Sequence, residues 1–172
     1  MFHKAIITGA LVTAALAGCS QKQSVDAALA PTLRVEVTDV VVATKRVQDG
    51  HKHDLETDQI ESIVSTVAGQ RLLAANPTGP RPVTARIEIT QIYIANPVLG
   101  ALLGSSSSNM NAVMVLTDAA TGSPVTGPIP LYGTTPPRPT IIGAATIRSP
   151  EKEVEIVARN LAENAKIAIF GE

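Results

Sequence analysis

Histidine and carboxylate side chains come together at one place in this 172-residue chain, His51-Lys52-His53-Asp54. Two imidazoles and a carboxylate could share a divalent cation, or one imidazole could serve a hydrolase as its base. Neither chemistry finds its remaining parts. The third histidine, His3, lies at the extreme N-terminus, and side chains two apart on an extended segment point to opposite sides. His51 and His53 are the only metal candidates, set against a solvated turn ahead of a helix, and the expectation is no metal. No serine stands in a Gly-x-Ser-x-Gly elbow, and the run Ser105 to Ser108 reads as a flexible polar tract. The glycines at 100, 104, 122, 127, 133 and 143 are separated by turns and prolines, with no Gly-Lys-Ser or Gly-Lys-Thr to cradle a phosphate. Glu36 and Glu88 could be cross-strand neighbours, but alternation alone explains them as solvated. The expectation is a protein that is not an enzyme and has no cofactor.

Two loops carry more apolar residues than a solvated connection needs: Val98, Leu99, Leu102 and Leu103 in the first, Ile141 and Ile142 in the second. They read either as surfaces that dock on a partner or as lids folded over the core. The net charge of −1 lacks the basic excess of a nucleic-acid binder. Aromatic residues are 2% of the chain, with no tryptophan, so base-stacking and sugar-binding platforms are also disfavoured. A core must be built from Val, Ile, Leu and Ala.

The N-terminus has the layout of a secretory signal. Met1-Phe2-His3-Lys4 is a short positive start, Ala5 to Ala17 is apolar, and small residues close the run before it is long enough to span a bilayer. Leu16-Ala17-Gly18-Cys19 resembles the lipobox of bacterial lipoproteins. That resemblance implies cleavage before Cys19, a diacylglycerol on its sulfur, and commonly a third chain such as palmitate on the new amino group. Two or more acyl chains hold a protein stably on a membrane where one does not. Ser20 follows the anchor in place of Asp, which resembles lipoproteins sent to the outer membrane, and a periplasm-facing position is expected. Cys19 is the only cysteine, so the mature chain has no thiol for a disulfide, a nucleophile or a thiolate metal site.

Periodicity supplies the elements that must position these residues. Residues 1–18 read as the signal peptide, 19–31 as a tether, and 32–172 as one domain. Leu33, Val35 and Val37 alternate with polar residues and continue through Val42 as a strand, with a bulge expected near Asp39. Asp54 is the expected N-cap of a helix whose apolar face is Ile60, Ile63, Val64, Val67, Ala68 and Leu72, ended by Asn76-Pro77. A second strand runs from Val83 to about Ile94. Its wording, Arg86 to Ala95, repeats Arg34 to Ala43, which reads either as a duplication or as two similar strands of one sheet. Met110 to Thr117 is a third strand, joined through Asp118 to Gly122 to a fourth at Pro124 to Tyr132, whose prolines confine it to an edge. Ser149-Pro150 starts a last helix with an apolar face from Val154 to Ile169, closed by Gly171.

The expected fold is α+β: a βαβββα sandwich with a mostly antiparallel sheet and two helices packed on it. That order, the lipobox and the strand ending in Asp118-Ala119-Ala120-Thr121-Gly122 together resemble small periplasmic accessory lipoproteins, of the ABC-transport auxiliary or curli-secretion type. The resemblance implies a lipid-anchored protein of the outer membrane that binds an envelope partner, or itself, in transport or secretion. The alternative is a carrier of lipid or a small apolar ligand in an aliphatic pocket between sheet and helices. A metal-binding protein is the third reading.

Overall fold

The structure, a computed structural model, describes residues 21–43, 55–95, 107–136 and 148–171. In chain order the elements are β1 (Leu33–Val42), α1 (Thr57–Ala75), β2 (Arg81–Tyr93), β3 (Asn109–Asp118), β4 (Ile129–Thr134) and α2 (Pro150–Phe170). The expected α+β sandwich, βαβββα, is what forms. The strands lie in sequence order, with β1 parallel to β2 and the pairs β2–β3 and β3–β4 antiparallel. The parallel pair follows from α1, which returns the chain to the starting end of the sheet, whereas β3 and β4 follow without an intervening helix.

Both helices cover the same face of the sheet and pack on each other, α1 over β1 and α2 over β4 and β3. The core is aliphatic, as the composition requires. Leu33, Val35, Ala85, Ile87, Ile89, Met110, Met114 and Leu116 rise from the strands, and Val64, Ala68, Leu72, Val157, Leu161 and Ile169 descend onto them, all without solvent exposure. The opposite face of the sheet, which no described helix covers, carries Glu36, Arg86, Glu88 and Tyr132. No helix among the described residues is long and apolar enough to cross a membrane.

Several local expectations are met and several are corrected. The bulge in β1 falls between Val37 and Asp39, and a second lies between Ile89 and Gln91 in β2. The cap of α1 is Glu56, two residues after the expected Asp54, which lies outside the described residues; Gln59 Oε1 accepts the Glu56 N–H at 3.1 Å. β2 begins at Arg81. β4 begins at Ile129, because Pro124 and Pro128 cannot donate to a ladder, and Pro124 is left with an isolated bridge to Thr117. The two similar segments are neighbouring strands in staggered register, with Arg86 opposite Asp39 and Arg34 opposite Pro82. Glu36 faces Thr84 and Glu88 faces Val41, so the two carboxylates are not opposed.

Of the tether expected over 19–31, residues 19 and 20 lie outside the described residues, and the part from Gln23 on is docked. From Gln23 the chain is already part of the domain: Ser24 N–H donates to Ala168 C=O at 2.7 Å, Val25 N–H shares that acceptor at 3.2 Å, and Gln23 Nε2 reaches Ile169 C=O at 3.3 Å. Val25 and Ala30 are buried, and a 3-10 turn over Ala30–Thr32 leads into β1. The last four carbonyls of α2 have no partner within the helix, and this segment satisfies two of them.

Candidate functional site

The sheet has two poles. At one, β1 and β2 begin, β3 ends, and α1 and α2 finish. At the other, β1, β2 and β4 end, β3 begins, and both helices start. Glu153 lies at this second pole, in the first turn of α2, and has no solvent exposure. It is a carboxylate in line with Val157, Leu161 and Ala165, and hence on the buried stripe.

The Glu153 carboxylate ties together four points of the chain. Its Oε2 accepts the Ser108 hydroxyl at 2.9 Å, and its Oε1 accepts the Arg148 N–H at 3.3 Å. Ser108 Oγ in turn accepts the Ala95 N–H at 3.0 Å. Ser108 N–H donates to Thr135 Oγ1 and Thr135 N–H donates back to Ser108 C=O, both at 2.9 Å. Ser108 and Thr135 are as fully buried as Glu153. Ala95 and Ser108 flank residues 96–107, and Thr135 and Arg148 flank residues 136–147. One buried polar cluster therefore brings both ends of both long connections to the same spot.

These hydrogen bonds hold four points of the chain together. The single hydroxyl proton of Ser108 is committed to Glu153, and no imidazole lies among the described residues to take it. Each hydrogen bond of this cluster contributes about 0.5–1.5 kcal/mol net. Sequence reasoning placed Ser108 in a flexible tract; the structure places it at the centre of the cluster.

At the first pole, Asp118 ends β3 and starts the hairpin. Arg81 Nε sits 2.8 Å from its Oδ2, while the N–H groups of Thr121 and Ala120 each donate to Oδ1 at 3.0 Å. The Arg81 guanidinium, then the Thr121 N–H, lower the Asp118 pKa to about 2 against the opposing pull of burial. This is turn chemistry: the aspartate forms the loop its position demands.

The outer seam between α1 and α2 is an open groove of about 610 Å³, with Val67 and Ala74 on its floor and Arg71, Glu155, Arg159 and Glu163 around it. Its charges are already used. Arg71 is paired with Glu163, and Arg159 meets Glu155 at 2.5 Å. Lys152, 2.6 Å from Glu155, holds that carboxyl below its usual range, with Arg159 adding to the effect. Between sheet and helices the described layers meet through side chains without exposure.

Cys19 and the lipobox residues Leu16, Ala17 and Gly18 lie outside the described residues. So do His51 and His53, the loop residues Val98, Leu99, Leu102 and Leu103, and Ile141 and Ile142. Among the described residues no three His, Cys, Asp or Glu side chains gather as a metal site would require.

No family profile matches the chain, and no curated protein sequence does. Among solved structures, a presumptive lipoprotein from Caulobacter crescentus is 10% identical, over 84% of this chain and 91% of that one, with a TM-score of 0.42. A PelC dodecamer from Paraburkholderia phytofirmans is 13% identical, over 81% and 93%, at 0.36. The hypothetical protein CT253 from Chlamydia trachomatis is 11% identical, over 81% and 98%, at 0.39. Likeness at this level carries no argument about what the chain does.

Proposed function

We propose that this is a lipid-anchored accessory protein of the bacterial envelope that acts by binding a partner and catalyses no reaction. The observation that carries the reading is the convergence on Glu153 of all four ends of the segments that contain Val98, Leu99, Leu102 and Leu103, and Ile141 and Ile142. Two apolar stretches far apart in sequence are rooted side by side, which is how a scaffold presents a composite binding surface. The lipobox sequence Leu16-Ala17-Gly18-Cys19 supplies the anchor, and Ser20 favours the outer membrane, with the domain in the periplasm. The task is of the ABC-transport auxiliary or curli-secretion kind: holding an envelope protein, or a second copy of the chain, in an assembly.

The test is crosslinking in cells of the full-length chain carrying a C-terminal tag, wild type beside the Leu102→Ser, Leu103→Ser double variant. Loss of a stoichiometric envelope partner, with an unchanged melting curve, is the expected result. A large drop in melting temperature would mean that the two leucines are core lids, and the docking reading would be abandoned. Acyl labelling that persists after Cys19→Ala would remove the anchor.

A further inference from the structure

We infer that the pole formed by Lys22 to Pro31 and the C-terminal turn of α2 lies against the headgroups of the membrane into which Cys19 is anchored, so that the Glu153 pole points away from it. The inference rests on the lipid-anchor reading above and adds the orientation that anchor imposes.

Chain length sets this orientation. Gln23 is pinned to the end of α2, its side chain on Ile169 C=O, with Ser24 and Val25 sharing Ala168 C=O. Only Ser20, Gln21 and Lys22 separate it from Cys19. Four peptide steps reach at most about 14 Å even when fully extended. A lipid on Cys19 therefore holds the end of α2 within that distance of the bilayer surface, and the domain cannot roll freely on a long leash.

The ends of other elements share this pole. Asn76, which caps the C-terminus of α1, donates through its amide to Pro31 C=O at 2.8 Å and to Leu33 C=O at 2.9 Å. Beside it, a shallow groove of about 360 Å³ has Ala27, Pro31 and Phe170 as apolar walls and Lys166 at its rim. Lys22, Ala27, Ala28 and Pro31 are exposed. Small apolar residues beside the exposed Lys22 suit the boundary between headgroup phosphates and acyl chains, while Lys166 stays 3.6 Å from Glu163.

The opposite pole is a fixed distance further out. Ten residues of β1 span about 30 Å, and the twenty-one residues of α2 span about the same. The Glu153 cluster thus stands about 30 Å beyond the membrane-facing pole.

The experiment uses the mature acylated chain in vesicles of phosphatidylethanolamine and phosphatidylglycerol, with a nitroxide on a fraction of the headgroups. Because Cys19 is blocked by its lipid, a fluorophore can be placed on a single free thiol, at Ala27→Cys in one sample and Thr57→Cys in another. Both sites are exposed, one at each pole. Strong quenching at position 27 with little at position 57 is expected. Equal quenching at both, or stronger quenching at 57, overturns the orientation. Inserting a long Gly-Ser segment between Lys22 and Gln23 should bring quenching at 27 down toward that at 57, and undiminished quenching there would overturn the short chain as its cause. Protein that stays in solution with no acyl group on Cys19 is a failure of the anchor reading, recognisable before any quenching is recorded.

Discussion

Glu153 and Asp118 are both carboxylates with little or no exposure, and they are held for different ends. Glu153 accepts a serine hydroxyl and a backbone N–H inside the fold. Removing one partner of a buried polar pair strands the other, at a cost of about 1–3 kcal/mol and more where a charge is left. Ser108→Ala and Glu153→Ala are accordingly expected to lower unfolding free energy in urea titration, the glutamate variant by the larger amount because it also opens a cavity. A Glu153→Gln chain, which keeps an acceptor for Ser108, should lose less than Glu153→Ala. Asp118 is tied to Arg81 and has its pKa lowered to about 2 from the usual 3.8. A lowered folded pKa means that its stabilising contribution is whole above about pH 4 and disappears as pH falls toward 2. Melting temperature should fall over that window in the native chain, and Asp118→Asn should flatten that part of the curve. The spacing 153, 157, 161, 165 places Glu153 among apolar neighbours in the sequence itself. Ser108 carries no such mark, since its burial depends on Ala95, Thr135 and Glu153 arriving from elsewhere.

Helix and strand approach closely where α2 crosses β4. A Cβ at Gly133 would stand 2.4 Å from Val157 C=O and 2.9 Å from Leu161 Cβ, so the strand can approach the helix only with glycine there. The alanines of α2, Ala158, Ala162, Ala165 and Ala168, are fully buried and allow the same closeness along its length. Gly133→Ala should push helix and strand apart and cost about 1–3 kcal/mol, as overpacked cores do, measurable as an earlier denaturant midpoint. Both helices, their faces and the four strands were legible from periods of 3.6 and 2, and Ser149, Pro150 and Gly171 marked the ends of α2. Where α1 and β4 begin was less so. Those boundaries depend on which backbone groups find partners: Gln59 closes back on Glu56, and Pro124 and Pro128 delay β4 until Ile129. The need for glycine at 133 is invisible without the helix that passes over it.

Taken as a whole, the described residues form a two-layer sandwich with both helices on one face of its sheet and a distinct pole at each end. The segment 23–31 belongs to its core, so a chain starting at residue 32 should be less stable than one starting at 21. Burying Val25 alone contributes roughly 1.5–3 kcal/mol, and a thermal melt of the two chains would show the difference. A tether would have made no difference. The α+β class, the element order and an aliphatic core without aromatic anchors were determined by the sequence alone, because alternation, helical spacing and composition are local properties that need no partner. The pairing of β1 with β2 in staggered register, the docking of Gln23 to Val25 on α2 and the cluster around Glu153 were decided only by the tertiary structure. They join groups as far as 146 residues apart, and which buried donor meets which acceptor is settled by how the elements pack, not by the residues on either side of it.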